Sequence, residues 1–267
     1  MNGEARPSGS LTGLRVLITR PEPANGTLAE AVTGRAGQAI RLPAIETKAI
    51  ERAALLDEFA SPGDVGLVIF VSVPAVTHGS WLLREKHVRP RRVAAIGGTT
   101  ANALEACGVR VDITPENDAY TSEDLLAHPS LTASHAPLDV LIVRGVGGRE
   151  LLANTLSERG FHVRYAETYV RRRPSADCAV EAKAAIRSGD VPHIITATSL
   201  EILDNALLLL GAEADAVRGA STVLAPSERI AHAAVSKLGF ELPPLKSRGA
   251  DNEALIRAME AWWGTRR

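Results

Sequence analysis

The sequence predicts an α/β protein of two lobes, each a parallel β-sheet flanked by helices, joined by a two-stranded linker. Three observations point there. Fully apolar runs such as Gly66–Val71 lead at once into capped helix starts, as strands covered on both faces do. The pattern strand, Arg, turn, helix, Gly, strand occurs twice, over Val16–Glu46 and again over Val140–Tyr169, and such an internal repeat constrains architecture before any motif does. Each copy also ends in an extended stretch, Leu42–Glu46 and Ala166–Val170, so two crossings can lie side by side between the lobes.

The elements follow in order. Residues 1–10 are rich in Gly, Pro and Ser and read as a disordered tail. A strand at Val16–Thr19 ends at Arg20, because Pro21 and Pro23 cannot continue a ladder. Thr27 and Glu30 have capping-box spacing for a helix carrying Leu28, Ala31 and Val32, which runs towards Gly37 before a strand at Ala39–Leu42. A helix over Glu51–Phe59 closes at Pro62 and Gly63. After the Gly66–Val71 strand, Ser72 caps a helix with Pro74 in its first turn.

A strand ending at Ile96 meets Gly97 and Gly98, with Thr99 or Thr100 at the helix start, Ala101, Leu104 and Cys107 inward and Gly108 as the stop. Val109–Ile113 reads as the next strand, Tyr120–Leu125 as a third capped start and His128–Pro137 as a loop. Tyr120 either covers a lobe edge or touches ligand. The second copy has a strand at Val140–Val143, a glycine turn with Arg144 and Arg149, and a helix with Leu151, Leu152, Thr155 and Leu156 on one side. It stops at Gly160 and ends in a strand reaching Tyr169. Next come a strand at His193–Ala197 with Thr198 and Glu201 at capping-box spacing, and a strand at Thr222–Ala225. Ser227 then opens a helix bearing Ile230, Ala231, Ala234, Val235 and Leu238. The last helix begins at Asp251, and its Leu255, Ile256, Met259 and Trp262 or Trp263 form a packing stripe.

At 267 residues the chain is long enough for two domains with proper cores. It has no long apolar run, and its polar first residues are unlike a signal peptide, which implies a cytoplasmic protein without membrane association. Thirty basic residues against thirty-one acidic ones argue against a general nucleic-acid surface. The arginine clusters HVRPRR and YVRRRP read as solvated strand ends before they read as a ligand site. Two cysteines make no disulfide framework, and Cys107 is expected to be a buried thiol. Seven scattered histidines, without HExxH or CxxC, give no metal site.

The residues at strand ends are Arg20, Ser72, Gly97–Thr100, Ser122, Arg144, Arg149, Thr198, Ser199 and Ser227. Singly, each Ser or Thr is an N-cap worth about 1 kcal/mol to its helix. Together, at the carboxyl ends of strands, they offer N–H groups, hydroxyls and positive charge that suit a ligand rich in carboxylates or phosphates, and they include no strong base. There is no GxSxG elbow, the RGVGGRE glycines do not make a GxGxxG fingerprint, and GGTTANA lacks a P-loop lysine.

Seven segments taken in order resemble the uroporphyrinogen-III synthase family. They are VLITRP at Val16–Pro21, LPAIE at Leu42–Glu46, IFVSVPAV at Ile69–Val76, VAAIGGTTANAL at Val93–Leu104, YTSEDL at Tyr120–Leu125, LIVRGVGGRELLANTL at Leu141–Leu156 and AETYVRRRP at Ala166–Pro174. The resemblance spans about Leu14–Glu260. It implies residues 1–42 with 171–267 in one lobe, 46–166 in the other, linker strands at 43–45 and 167–170, and a cleft between the lobes.

The implied enzyme is a cofactor-independent hydro-lyase that acts as a monomer. Its substrate, hydroxymethylbilane, is a linear tetrapyrrole with multiple carboxylates. Tyr169 corresponds to the tyrosine that assists hydroxyl departure. Thr100 matches the threonine of a G-x-x-T pattern, and Ser72 and Ser122 match hydroxyl positions at the cleft. Gly97, Thr99, Gly145, Arg20, Arg144, Arg149, Thr198, Ser199 and Ser227 complete the expected substrate-binding set. The chain departs from the family where a second G-x-T-T-A box is usual: it reads APSERIAHAA, with Ser227 in that place. The competing readings are a non-catalytic module of this kind, binding a tetrapyrrole or other polyanion and regulating a partner, and a two-lobed binder of phosphate or nucleotide.

Overall fold

A computed structural model describes residues 9–58, 65–85, 88, 90–115, 121–136 and 138–266. Residues 1–8 of the expected tail 1–10, the helix stop at Pro62 and Gly63, part of HVRPRR, Tyr120 and Pro137 lie outside them, whereas Gly9 and Ser10 are held by bonds to Thr12 and Glu260. The chain divides into two compact units, one taking the chain up to Glu46 and again from Arg172, the other Thr47–Arg171.

From the N-terminus, β1 (Arg15–Ile18), α1 (Ala24–Thr33) and β2 (Gln38–Arg41) form the first repeat copy. β3 (Glu46–Ala49), α2 (Arg52–Glu58), β4 (Leu67–Phe70), α3 (Val73–Gly79), β5 (Arg92–Ala95), α4 (Gly98–Ala106) and α5 (Ser122–Leu126) follow. β6 (Asp139–Gly145), α6 (Leu151–Glu158) and β7 (His162–Arg172) are the second copy. The remainder runs α7 (Val180–Arg187), β8 (Ile194–Thr196), α8 (Leu200–Leu210), α9 (Ala214–Ala220), β9 (Thr222–Ala225), α10 (Glu228–Ser236), β10 (Leu245–Lys246) and α11 (Asn252–Gly264).

Among the described residues each unit holds one five-stranded sheet. The first has the order β10-β9-β8-β1-β2, parallel throughout. The second has the order β3-β7-β6-β4-β5 and is parallel from β7 to β5. The expected crossing Ala166–Val170 lies within β7, but Leu42–Ile45 forms no strand, and the segment paired with β7 is β3, which begins only at Glu46. Alternation along the strands explains why they are apolar on both faces. In β4, Leu67 and Ile69 pack on one side of the second sheet with Val140 and Ile142 of β6. Val68 and Phe70 pack on the other side with Leu141 and Val143. Val16 and Leu17 divide in the same way between the two faces of the first sheet.

Several local expectations give way. α1 begins at Ala24, before Thr27, because the buried Asn25 amide donates to the carbonyls of Ile18 and Arg20 and anchors the strand–helix turn. Thr27 sits inside the helix and donates to the Ala24 carbonyl. Ser199, not Thr198, caps α8 and accepts the Ile202 N–H at 3.2 Å. Val109–Ile113 forms no strand: only a bridge from Ile113 to Ala94 extends the sheet. His128–Pro137 contains two short 3-10 turns, at Pro129–Leu131 and Ala133–His135. Cys107 is an exposed free thiol at the C-terminal end of α4, and Leu151 and Val235 are exposed where their helices turn outward.

The second sheet has one irregularity. Arg144 of β6 pairs with Glu167 of β7, but Gly145 pairs with Tyr169, so Thr168 is the extra residue of a β-bulge. The bulge brings the Tyr169 ring down onto Gly145, where a Cβ would lie 2.6 Å from Cε2 and 2.7 Å from Cζ of the ring. Gly145→Ala is therefore expected to displace the ring and cost about 1–3 kcal/mol, read as a lower denaturant midpoint with unchanged m.

Two histidines are held neutral. Burial lowers the pKa of His78, and burial followed by the neighbouring Arg15 charge lowers that of His193. The Arg15 backbone N–H donates to His193 Nδ1 at 3.0 Å, and the Arg15 guanidinium lies 3.2 Å from Nε2. A depressed histidine pKa leaves the unfolded chain binding the proton first, so stability is fully present above the unfolded value and is lost as pH falls. Thermal melts should show midpoints dropping as pH falls below about 6.5, ahead of any carboxylate titration, and His193→Gln should flatten that slope.

Candidate functional site

The ends of β4, β6 and β7 in the second unit surround a pocket of about 430 Å³. Its lining includes Ser72, Ser122, Arg144, Gly145, Arg149 and Tyr169 from the expected set, together with Ile96, Val146–Gly148, Leu152 and Arg171. Strand ends meet here because parallel strands finish at the same edge of the sheet, where β4 passes into α3 and β6 into the turn before α6.

Ser72 is the N-cap of α3: its extended backbone leaves the hydroxyl free to accept the Ala75 N–H at 3.1 Å. The same oxygen lies 3.1 Å from the Tyr169 hydroxyl. With one Ser72 lone pair engaged by the backbone, its proton is free to point at Tyr169, and the phenol's own proton is free to be donated elsewhere. The Tyr169 ring is fixed from two sides, by Gly145 beneath it and by His78, whose ring centroid is 5.5 Å away. His78 is held in turn by Thr47 at 2.8 Å.

The glycine turn has a distinct reason at each position. Gly145 makes room for Tyr169, Gly147 has a positive φ of 72°, and Gly148 lies against the Arg144 stem, with 3.3 Å from its would-be Cβ to Cδ. Val146 continues the ladder by donating to the Tyr169 carbonyl at 2.9 Å.

The arginines differ in what they meet. Arg144 is buried and paired with Glu150 at 3.0 Å and Glu167 at 2.9 Å. Burial is the largest influence and would lower its pKa, but the bonds to the two glutamates outweigh it and the net shift is upward. Arg149 and Arg171 are exposed, and among the described residues neither has a carboxylate partner. Two cationic groups are thus available at the pocket rim. Arg171 was passed over in the sequence as part of a solvated strand end. Period-two alternation from Tyr169 puts it on the same face of β7 and is the signal that could have found it.

The other expected residues fall elsewhere. Gly97 caps α4, Thr100 is buried and Thr99 exposed in its first turn, and none of the three lines the pocket, although the adjacent Ile96 does. Arg20, Thr198, Ser199 and Ser227 belong to the first unit, after β1, β8 and β9. Ser227 caps α10, accepting from Ile230 N–H at 3.5 Å. Arg20 donates to the Asn252 side chain at 2.5 Å, and burial lowers its pKa while Asp251 acts in the opposite sense. Among the described residues no helix is long and apolar enough to cross a membrane. Nor does any group of three or more His, Cys, Asp or Glu among them suit a metal ion.

Comparison with known proteins places this arrangement. The family model described as uroporphyrinogen-III synthase HemD matches residues 26–254. The uroporphyrinogen-III synthase of Salmonella typhimurium is 36% identical over 255 residues, covering 92% of this chain and all of that protein. The Escherichia coli K12 enzyme is 32% identical with the same coverage. In fold, the chain is similar to the Helicobacter pylori uroporphyrinogen-III synthetase crystal structure, with a TM-score of 0.57, 14% identity and coverage of 93% of this chain and 99% of that one. A mutant Thermus thermophilus enzyme gives 0.51 at 16% identity, covering 95% and 100%. The chain, matched along nearly its whole length, belongs to the uroporphyrinogen-III synthase family.

Proposed function

We propose that this protein is a uroporphyrinogen-III synthase, which cyclises hydroxymethylbilane with inversion of the terminal pyrrole and releases water. The observation that carries the reading is a buried tyrosine whose hydroxyl meets Ser72 at 3.1 Å in a pocket rimmed by Arg149 and Arg171, in a chain of this family.

In this reading the two exposed guanidiniums and the N–H groups of the glycine turn take up carboxylate arms of the substrate. Electrons from the first pyrrole expel the terminal hydroxyl. Tyr169 donates its proton to that oxygen, so the leaving group departs as water and a conjugated azafulvenium cation remains beside the phenolate. The substituted carbon of the last pyrrole attacks it, giving a spiro intermediate that reopens and closes with that ring inverted. The proton released when the last pyrrole regains aromaticity restores the phenol, and the net change is loss of one water. The pyrroles supply the electrons, so the protein's contribution is folding the chain, assisting departure and stabilising cationic intermediates. A neutral phenol held by a helix-capping serine suits that task better than a strong base.

The decisive assay couples this protein to freshly made hydroxymethylbilane: type III uroporphyrinogen as product is expected, and type I alone at the uncatalysed rate would reject the reaction. Tyr169→Phe should lower kcat on the order of 100-fold, the low end for one positioned acid, with product affinity retained by titration. Arg171→Ala should raise KM about tenfold with kcat held, as loss of uniform binding does; an unchanged KM would remove Arg171 from the carboxylate contacts.

A further inference from the structure

We infer that Arg144 is a positioning residue: it does not grip substrate but locks the turn from Gly145 to Glu150 against β7, and so holds Tyr169 and the pocket's backbone N–H groups in place. The inference rests on the reading in which this pocket takes the tetrapyrrole.

Each of the three guanidinium nitrogens is bonded inside the protein. Nε and Nη2 donate to Glu167 Oε1 at 3.1 and 2.9 Å, fastening it to β7. Nη1 donates to Glu150 Oε1 at 3.0 Å and to the carbonyls of Gly148 and Arg149 at 3.3 and 3.5 Å, fastening it to the turn. The flat face lies 3.5 Å from the centre of the Tyr165 ring, and the Tyr165 hydroxyl donates to the other Glu150 oxygen at 2.5 Å. Burial and the bond to Glu150 push the Tyr165 pKa up to about 12, so that hydroxyl stays a donor.

Peptide geometry links this network to the pocket. In a trans peptide the N–H points opposite to the C=O. Turning the Gly148 and Arg149 carbonyls towards Arg144 therefore turns the N–H groups of Arg149 and Glu150 away from it. Gly147, Gly148 and Arg149 line the pocket. At the other end of the turn, Gly145 carries the Tyr169 ring and Val146 bonds its carbonyl. A planar five-donor fork is required for this, and a lysine in its place has neither the fork nor the stacking face.

The test uses variants that disturb the network without emptying it. Tyr165→Phe removes the hydroxyl that holds Glu150, and Glu150→Gln removes one carboxylate from Arg144. Each is expected to lower kcat by about tenfold, as small misplacements do, with KM held within about twofold. Each should also speed amide exchange over 146–150 in the unliganded protein. Adding either change to Arg144→Met should give no further loss of kcat, as for members of one network. Arg144→Lys, which keeps the charge, should not restore activity and serves if the Met variant does not fold. Were Arg144 instead to bind substrate directly, Glu150→Gln would free its charge, lower KM and leave exchange at 146–150 as in the wild type, and that result overturns the assignment. Exchange is read without substrate, so it judges Arg144 even if the wild type makes no type III product, an outcome that would fail the proposed reaction alone.

Discussion

The Tyr169 ring rests on a stretch of backbone that has no side chain, and the second unit's pocket depends on that contact. A Cβ at Gly145 would lie inside the ring's van der Waals envelope. The close approach exists because Thr168 is inserted opposite the Arg144–Gly145 step, which shifts the register and re-aims the next side chain. An unbulged ladder would have paired Gly145 with Thr168 and turned Tyr169 to the opposite face of the sheet. The position of the phenol beside Ser72 thus follows from one extra residue and one missing side chain.

Around this contact the two units use the same local grammar for different ends. Parallel strands finish at hydroxyl residues that cap helices: Ser72 in the second unit, Ser199 and Ser227 in the first. Each cap satisfies an otherwise orphaned N–H and leaves a polar edge on its sheet. In the second unit that edge also carries Arg149, Arg171 and a turn rich in glycine. The combination sets two guanidiniums and backbone N–H groups beside a phenol, which is the chemistry the proposed reaction asks for.

Arg144 shows why a buried ion pair is better read as specification than as stability. Removing a guanidinium from water costs much of what its partners return, so the net stabilisation of such a cluster is small. The cluster ties turn, strand and Tyr165 together through each guanidinium nitrogen, and among the described residues no buried side-chain polar atom lacks a partner. The pocket's shape is held by those ties.

Much of the fold was legible in the sequence because its signals are local. Apolar runs marked β4 and β6, the repeat marked both strand–helix–strand copies, and Ser72, Ser227 and Asp251 announced the helices they cap. Ser72, Ser122 and Arg149 were named from strand-end position and Tyr169 from the family resemblance, and the four share one pocket. What misled were features whose outcome depends on distant chain. Thr27 and Thr198 have good capping spacing, yet Asn25 and Ser199 set the helix starts through their own bonds. Cys107 lies in an apolar pattern but at a helix end that faces solvent. The sequence by itself determined the central strand–helix units and the caps at Ser72, Ser227 and Asp251, since period and capping act over a few residues. Only the tertiary structure decided that Arg144 is consumed by Glu150 and Glu167, that Arg171 is free at the rim, and that Tyr169 sits on Gly145. Those outcomes are set by register and packing between strands far apart in the chain.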